Sequence, residues 1–199
     1  MSMKKVVLSA MLLAGLAGTA QAQSNVSLGL KAGATLSDFT GEQASAYKSI
    51  VGFNVGVFAN IGFTRMLAFQ PEIMYSRKGA KLETPDITTH LDYVDVPLVF
   101  HVNADGLFFE AGPQVGFLVS AKNKTSNVST DVKPTFNTVD AGYVFGLGYQ
   151  RKTGLGVGLR YNGGFTNVVK SYTVGNTKVQ DNIRNSAFQL YLTYSLNGR

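Results

Sequence analysis

Six ionisable residues, Lys31, Glu72, Asp95, Glu110, Asp140 and Arg160, carry most of the chemistry this chain could perform. Each lies in a run where apolar residues alternate with small or polar ones, and each falls on the polar side of that alternation. Carboxylates and cations brought into a water-poor interior must pair, because an uncompensated buried charge is strongly destabilising. The first expectation is therefore a lumen polar network in which Arg160 and Lys31 bridge Glu72, Glu110 and Asp140. A gate or proton path, opened when one pair breaks, is the second reading, and catalytic carboxylates are the third. His90 and His101 are the only histidines. His90 with Asp92 could form an Asp–His pair, yet no nucleophile in a diagnostic setting accompanies it, so a solvated loop histidine is expected. His101 is expected in the lumen or at its rim. Gly154-Leu-Gly-Val-Gly158 lacks the spacing of a phosphate-binding loop and no helix follows it. The chain has no cysteine, which excludes thiol nucleophiles, thiolate zinc clusters and disulfides. No catalytic residue, metal ligand or cofactor is implied.

The elements that would hold those six residues are strands. Residues 26–36 set Val26, Leu28, Leu30, Ala32, Ala34 and Leu36 on one face, with Lys31 among Ser27, Gly29, Gly33 and Thr35 on the other. The same period of two recurs over 51–61, 67–76, 93–102, 108–120, 139–150, 155–166 and 187–196. Short turns are expected at 62–66, 103–106 and 151–154, and long loops at 37–49, 77–90, 121–135 and 167–184. Pro71, Pro97 and Pro113 each remove a ladder donor, so bulges or irregular pairing are expected beside them.

The start of the chain reads as an export signal: Lys4 and Lys5, an apolar run from Val6 to Ala17, and the small-x-small site Ala20-Gln21-Ala22. The division predicted is a signal peptide at 1–22 and one barrel domain at 23–199. The apolar run is shorter than the roughly 18 residues of a spanning helix. A bilayer leaves closed barrels as the other way across, since backbone groups cannot bond to lipid. Alternation alone allows a soluble, lipocalin-like barrel with the apolar face inward. Glycine, serine, threonine and asparagine on the polar face argue for the reverse, because small side chains fit a narrow eight-stranded lumen. Aromatic residues Tyr75, Tyr143, Tyr149, Tyr161, Phe165 and Tyr194 fall on the apolar face, several near strand ends where membrane barrels carry girdles. The fold class predicted is all-β, an eight-stranded antiparallel up-and-down transmembrane β-barrel.

Several segments resemble the small outer-membrane β-barrel domain family known as "porin family protein" in Gram-negative bacteria. They are Gly29-Leu-Lys-Ala-Gly-Ala-Thr-Leu-Ser-Asp-Phe39, Gln70-Pro-Glu-Ile-Met-Tyr75 with Lys78-Gly79, Tyr93-Val-Asp-Val-Pro-Leu98, Glu110-Ala-Gly-Pro-Gln-Val-Gly116, Gly146-Leu-Gly-Tyr149 and Arg160-Tyr-Asn-Gly-Gly164. The resemblance implies an outer-membrane barrel read by the barrel assembly machinery, generally without an assigned activity. Such barrels typically end on an aromatic residue; here Leu196 stands near that place, with Tyr191 and Tyr194 as substitutes.

The function expected is non-enzymatic: a side-chain-plugged barrel in the cell outer membrane with a structural or loop-mediated role at the surface. The alternative is a narrow porin-like channel for small ions or solutes. A formal net charge of +6 raises a nucleic-acid reading, but the basic residues are scattered and the chain is exported, so no nucleic-acid partner is expected. Lys48, Arg77, Lys78, Lys81, Lys122, Lys124, Lys133, Lys170, Lys178 and Arg184 are predicted in the long loops. Membrane lipid is the partner expected, with lipid phosphates at Lys122, Lys124, Lys170 and Lys178, and the protein is expected to be a monomer.

Overall fold

The structure, a computed structural model, describes residues 26–126, 128–175 and 177–196. The expected signal peptide, 1–22, lies outside the described residues. Eight long strands form the wall: β1 (Val26–Thr40), β2 (Tyr47–Gly62), β3 (Leu67–Leu82), β4 (Ile87–Ala104), β5 (Leu107–Thr125), β7 (Val139–Gln150), β8 (Leu155–Gly164) and β11 (Arg184–Ser195). Each pairs antiparallel with its sequence neighbour, skipping only short β6 (Val128–Asp131) and the hairpin β9 (Tyr172–Val174) and β10 (Thr177–Val179). Pairing of β1 with β11 closes the sheet, so the wall has no free edge across the barrel.

Burial settles which face is inside. Val57, Phe145, Leu159, Leu190 and Leu192 are about half exposed on the outer surface, while Lys31, Glu72, Glu110 and Arg160 are each 2% exposed in the lumen. An apolar wall around a charged interior is the reverse of a water-soluble protein, and lipid is the solvent that stabilises it. The outer belt ends above in a ring-rich tier containing Phe53, Tyr75, Tyr143, Tyr161, Phe165 and Phe188, whose rings contact one another. This is a closed eight-stranded antiparallel barrel with a lipid-facing wall, as the alternation predicts.

The strands run farther than predicted. β3 continues to Leu82 and β4 starts at Ile87, so the expected loop 77–90 is four connecting residues between paired strands. β5 likewise runs to Thr125, with β6 folding back on it. The hydrophobic pattern changes phase above the belt. Within it the apolar residues of β4 point outward (Val94, Val96, Leu98); beyond it Leu91 and Tyr93 point inward and are fully buried. Water replaces lipid as the outer solvent there, so the apolar side must turn to the interior. Register shifts occur between Ser49 and Asn54 on β2 and opposite Asp92/Tyr93 of β4, where β5 carries one extra residue between Leu118 and Ser120, and not at the prolines. Beside Pro71, Pro97 and Pro113 the β3–β4 and β4–β5 ladders skip pairs without changing register.

Candidate functional site

The lumen is filled in tiers. At its centre Arg160, from β8, donates from Nε to Glu110 Oε1 at 2.7 Å and from Nη2 to Glu110 Oε2 at 2.7 Å. Its Nη1 and Nη2 also donate to Glu72 Oε2 and Oε1, both at 2.8 Å. One guanidinium therefore holds two carboxylates from β3 and β5 in paired forks, the geometry its planar donors favour. Lys31 of β1 donates to Glu72 Oε1 at 2.7 Å and Gln70 to the same oxygen at 2.8 Å. Tyr191 of β11 donates to Glu110 Oε1 at 2.8 Å, and His101 Nε2 stands 3.2 Å from Glu110 Oε2. The two cations Lys31 and Arg160 face the two carboxylates Glu72 and Glu110, so these four charges balance. Lys31 lies 4.1 Å from the centre of the Tyr191 ring, which adds a cation–π contact. The tier fits because its wall is bare: a Cβ at Gly158 would enter the Tyr191 ring, and one at Gly146 would stand 2.8 Å from Glu110 Oε1.

A second polar tier lies toward the outer end. Lys78 Nζ is 2.8 Å from Asp95 Oδ2 and 5.1 Å from the centre of the Tyr93 ring. Asp140 accepts from Asn185 Nδ2 and from the Thr166 hydroxyl, both at 2.8 Å. Asn185 also donates to the Tyr93 hydroxyl at 3.2 Å, and Asn162 donates to Gln114 at 2.8 Å. A cavity of about 10 Å³ between Lys78, Gln114, Asp140, Asn162 and Asn185 has room for about one water.

Above both tiers the interior turns apolar. Phe39, Ala44, Ala80, Leu91, Leu118, Ala121, Phe136, Val168 and Ile183 pack together over Tyr93, with Tyr47 edge-on to Phe39 at 5.1 Å. Loop backbone closes over this cap: Val168 N–H donates to Ile183 O at 2.8 Å and Phe136 bridges Val169.

The structure thus brings Lys31, Glu72, Glu110 and Arg160 together and separates Asp95 and Asp140 from them. Arg160 and Lys31 do not bridge Asp140, because barrel height divides the two tiers. Lys78, predicted in a loop, is an inward residue of β3 and the partner of Asp95. Gln70, Tyr191 and Asn185 sit on the polar parity of their strands, and continuing that parity two residues beyond Ser76 would have found Lys78. Tyr191 points into the lumen, so only Tyr194 remains outward, 50% exposed. His90 is not a loop residue but part of β4, beyond the apolar belt. Burial, then the charges of Lys124 and Arg77, hold its imidazole below the usual histidine range, against the pull of Asp92. Of the loop lysines, Lys133 and Lys170 donate to the backbone oxygens of Val119 and Pro134. Lys178 falls in β10, and its side chain is outside the described part.

Comparison with known proteins agrees with this geometry. A family model described as outer membrane protein beta-barrel domain matches residues 20–170. Neisserial surface protein A (NspA) is similar in structure, with a TM-score of 0.58 and 15% identity over 86% of this chain and 99% of that one. Ail, the attachment invasion locus protein of Yersinia pestis, aligns with a TM-score of 0.49 and 15% identity over 87% of this chain and 100% of its own. No curated protein matches the sequence.

Proposed function

Because the chain belongs to the outer membrane β-barrel domain family, we propose that it is a non-enzymatic barrel whose lumen is plugged by side chains and whose role lies at the cell surface. One observation carries this reading: Arg160, gripped by Glu72 and Glu110 in four hydrogen bonds, crosses the lumen at its middle. Opening a path there would strand buried charges, which costs far more than thermal energy supplies. The apolar cap supports the same reading, since ions crossing it would lose their hydration. The barrel is a monomer inserted by the barrel assembly machinery, in contact with membrane lipid, and its outer surface meets lipid phosphates or other envelope components. Planar bilayer recording of the purified protein tests the plug. Steady baseline current is expected; discrete conductance steps from the unaltered protein would overturn the plug in favour of a narrow channel.

A further inference from the structure

Register gathers basic residues that lie far apart in sequence. Lys48 of β2 stands directly opposite Lys81 of β3, Lys81 opposite Thr88 of β4, and Thr88 opposite Lys124 of β5. Directly opposed residues share a face of the sheet, and neighbouring strands are about 4.8 Å apart, so this row spans about 15 Å. One tier nearer the membrane, His90 stands opposite Lys122. The face is the outer one, because the intervening positions Ala80, Thr89, Leu91 and Ala121 are buried toward the interior. Just below it lie the exposed belt residues Val51, Phe53 and Phe117, with Arg77 over the Phe53 ring at 5.4 Å.

The row is unfavourable to the protein alone. Like charges directly opposite one another destabilise a sheet. Compensation is thin: Lys81 meets exposed Asp86 at 3.0 Å, and Arg77 is taken by Asp92 at 2.7 Å. Asp131 stands opposite Lys122 on β6, while Asp38 accepts from Ser49. Among the described residues Lys48, Lys122 and Lys124 make no ion pair. Direction identifies what faces them. These side chains leave the wall sideways, at the level just above the apolar belt, where a bilayer places its hydrated phosphates.

We propose that the outer wall of β2–β5, with Lys48, Lys81, Lys122 and Lys124 as its binding residues, is a docking surface for net-anionic, phosphate-bearing lipid headgroups of the outer leaflet. It rests on the membrane-barrel reading above and moves the lipid contact from loop tips to a rigid strand wall. The anions offset the Lys48–Lys81 repulsion, and the sheet holds the ammonium groups at fixed spacing.

Full mature protein in lipid nanodiscs tests this, with native mass spectrometry counting phosphatidic acid retained against a phosphatidylcholine background. The variant joining Lys48→Gln, Lys81→Gln and Lys124→Gln should lose retention about fivefold per lysine, on the order of a hundredfold in all. In pure phosphatidylcholine the same variant should need a higher temperature than the parent to lose its compact gel mobility, because the repulsion is gone. A control joining Arg65→Gln, Arg151→Gln and Lys152→Gln changes net charge equally at the opposite end and should retain the lipid. Equal retention by variant and parent overturns the proposal, and so does an equal loss in the control, which would assign binding to net charge. A parent without a boiling-dependent gel shift would instead refute the barrel on which the proposal rests.

Discussion

The central lumen and the cap above it fill the same barrel by opposite means. The centre uses two cations, two carboxylates, Gln70 and Tyr191 in one hydrogen-bonded set. The cap uses Leu91, Leu118, Phe136, Val168 and Ile183, with contact and water exclusion alone. The difference follows from what lies outside the wall. In lipid the outer face takes the apolar residues and polar ones are left for the interior, where they must satisfy one another. Above the belt the outer face is wet, and the interior can be an ordinary apolar core. Damage should therefore spread differently: a missing partner strands a charge in the centre, whereas in the cap it leaves only a void.

The largest expected effect breaks the centre. Arg160→Met leaves Glu110 without a cation and Glu72 with Lys31 alone, and should cost about 3–5 kcal/mol. Urea unfolding in lipid vesicles would show it, and a loss under about 1 kcal/mol would contradict the network's role. Adding Glu110→Gln to Arg160→Met restores balance around Lys31–Glu72 and should recover most of that loss; no recovery would mean that shape, not charge, dominates. In the cap, Leu91→Ala should cost about 2–3 kcal/mol through the void it leaves, with bilayer recordings still silent because the central tier is intact. Conductance from that variant would show that the cap, not Arg160, seals the lumen. Gly158→Val should cost about 1–3 kcal/mol by forcing the Tyr191 ring off Glu110, and pairing it with Tyr191→Ala should relieve the clash. The smallest effect is that of pH at His90, in the outer wall. Its folded pKa lies below the unfolded value of 6.5, so the unfolded chain binds more protons in between. Stability should rise with pH through that window and level off above it, and His90→Gln should flatten that part of the profile.

The eight runs and the side bearing charge were legible because period-two alternation is a local property of each strand. The outer third of the wall was not. Between Val94 and Tyr93 the apolar residues of β4 change sides, and on β5 the register shift beyond Leu118 adds a further break. A pattern read as one alternation ends there, which is why the sequence alone places Lys78, Lys81, His90 and Lys122 in loops. The shift at Asp92/Tyr93 answers an interface between two solvents that no local window contains.

Alternation, glycine on one face and aromatics on the other were enough to define a membrane barrel with a charged interior, because solvent sorts side chains strand by strand. The pairings needed closure. Arg160 meets Glu110 and Glu72 across separations of 50 and 88 residues, and Lys78 rather than Arg160 or Lys31 serves Asp95. Side-chain height in the lumen depends on the register of every strand around the ring, so which cation meets which carboxylate is a property of the closed barrel.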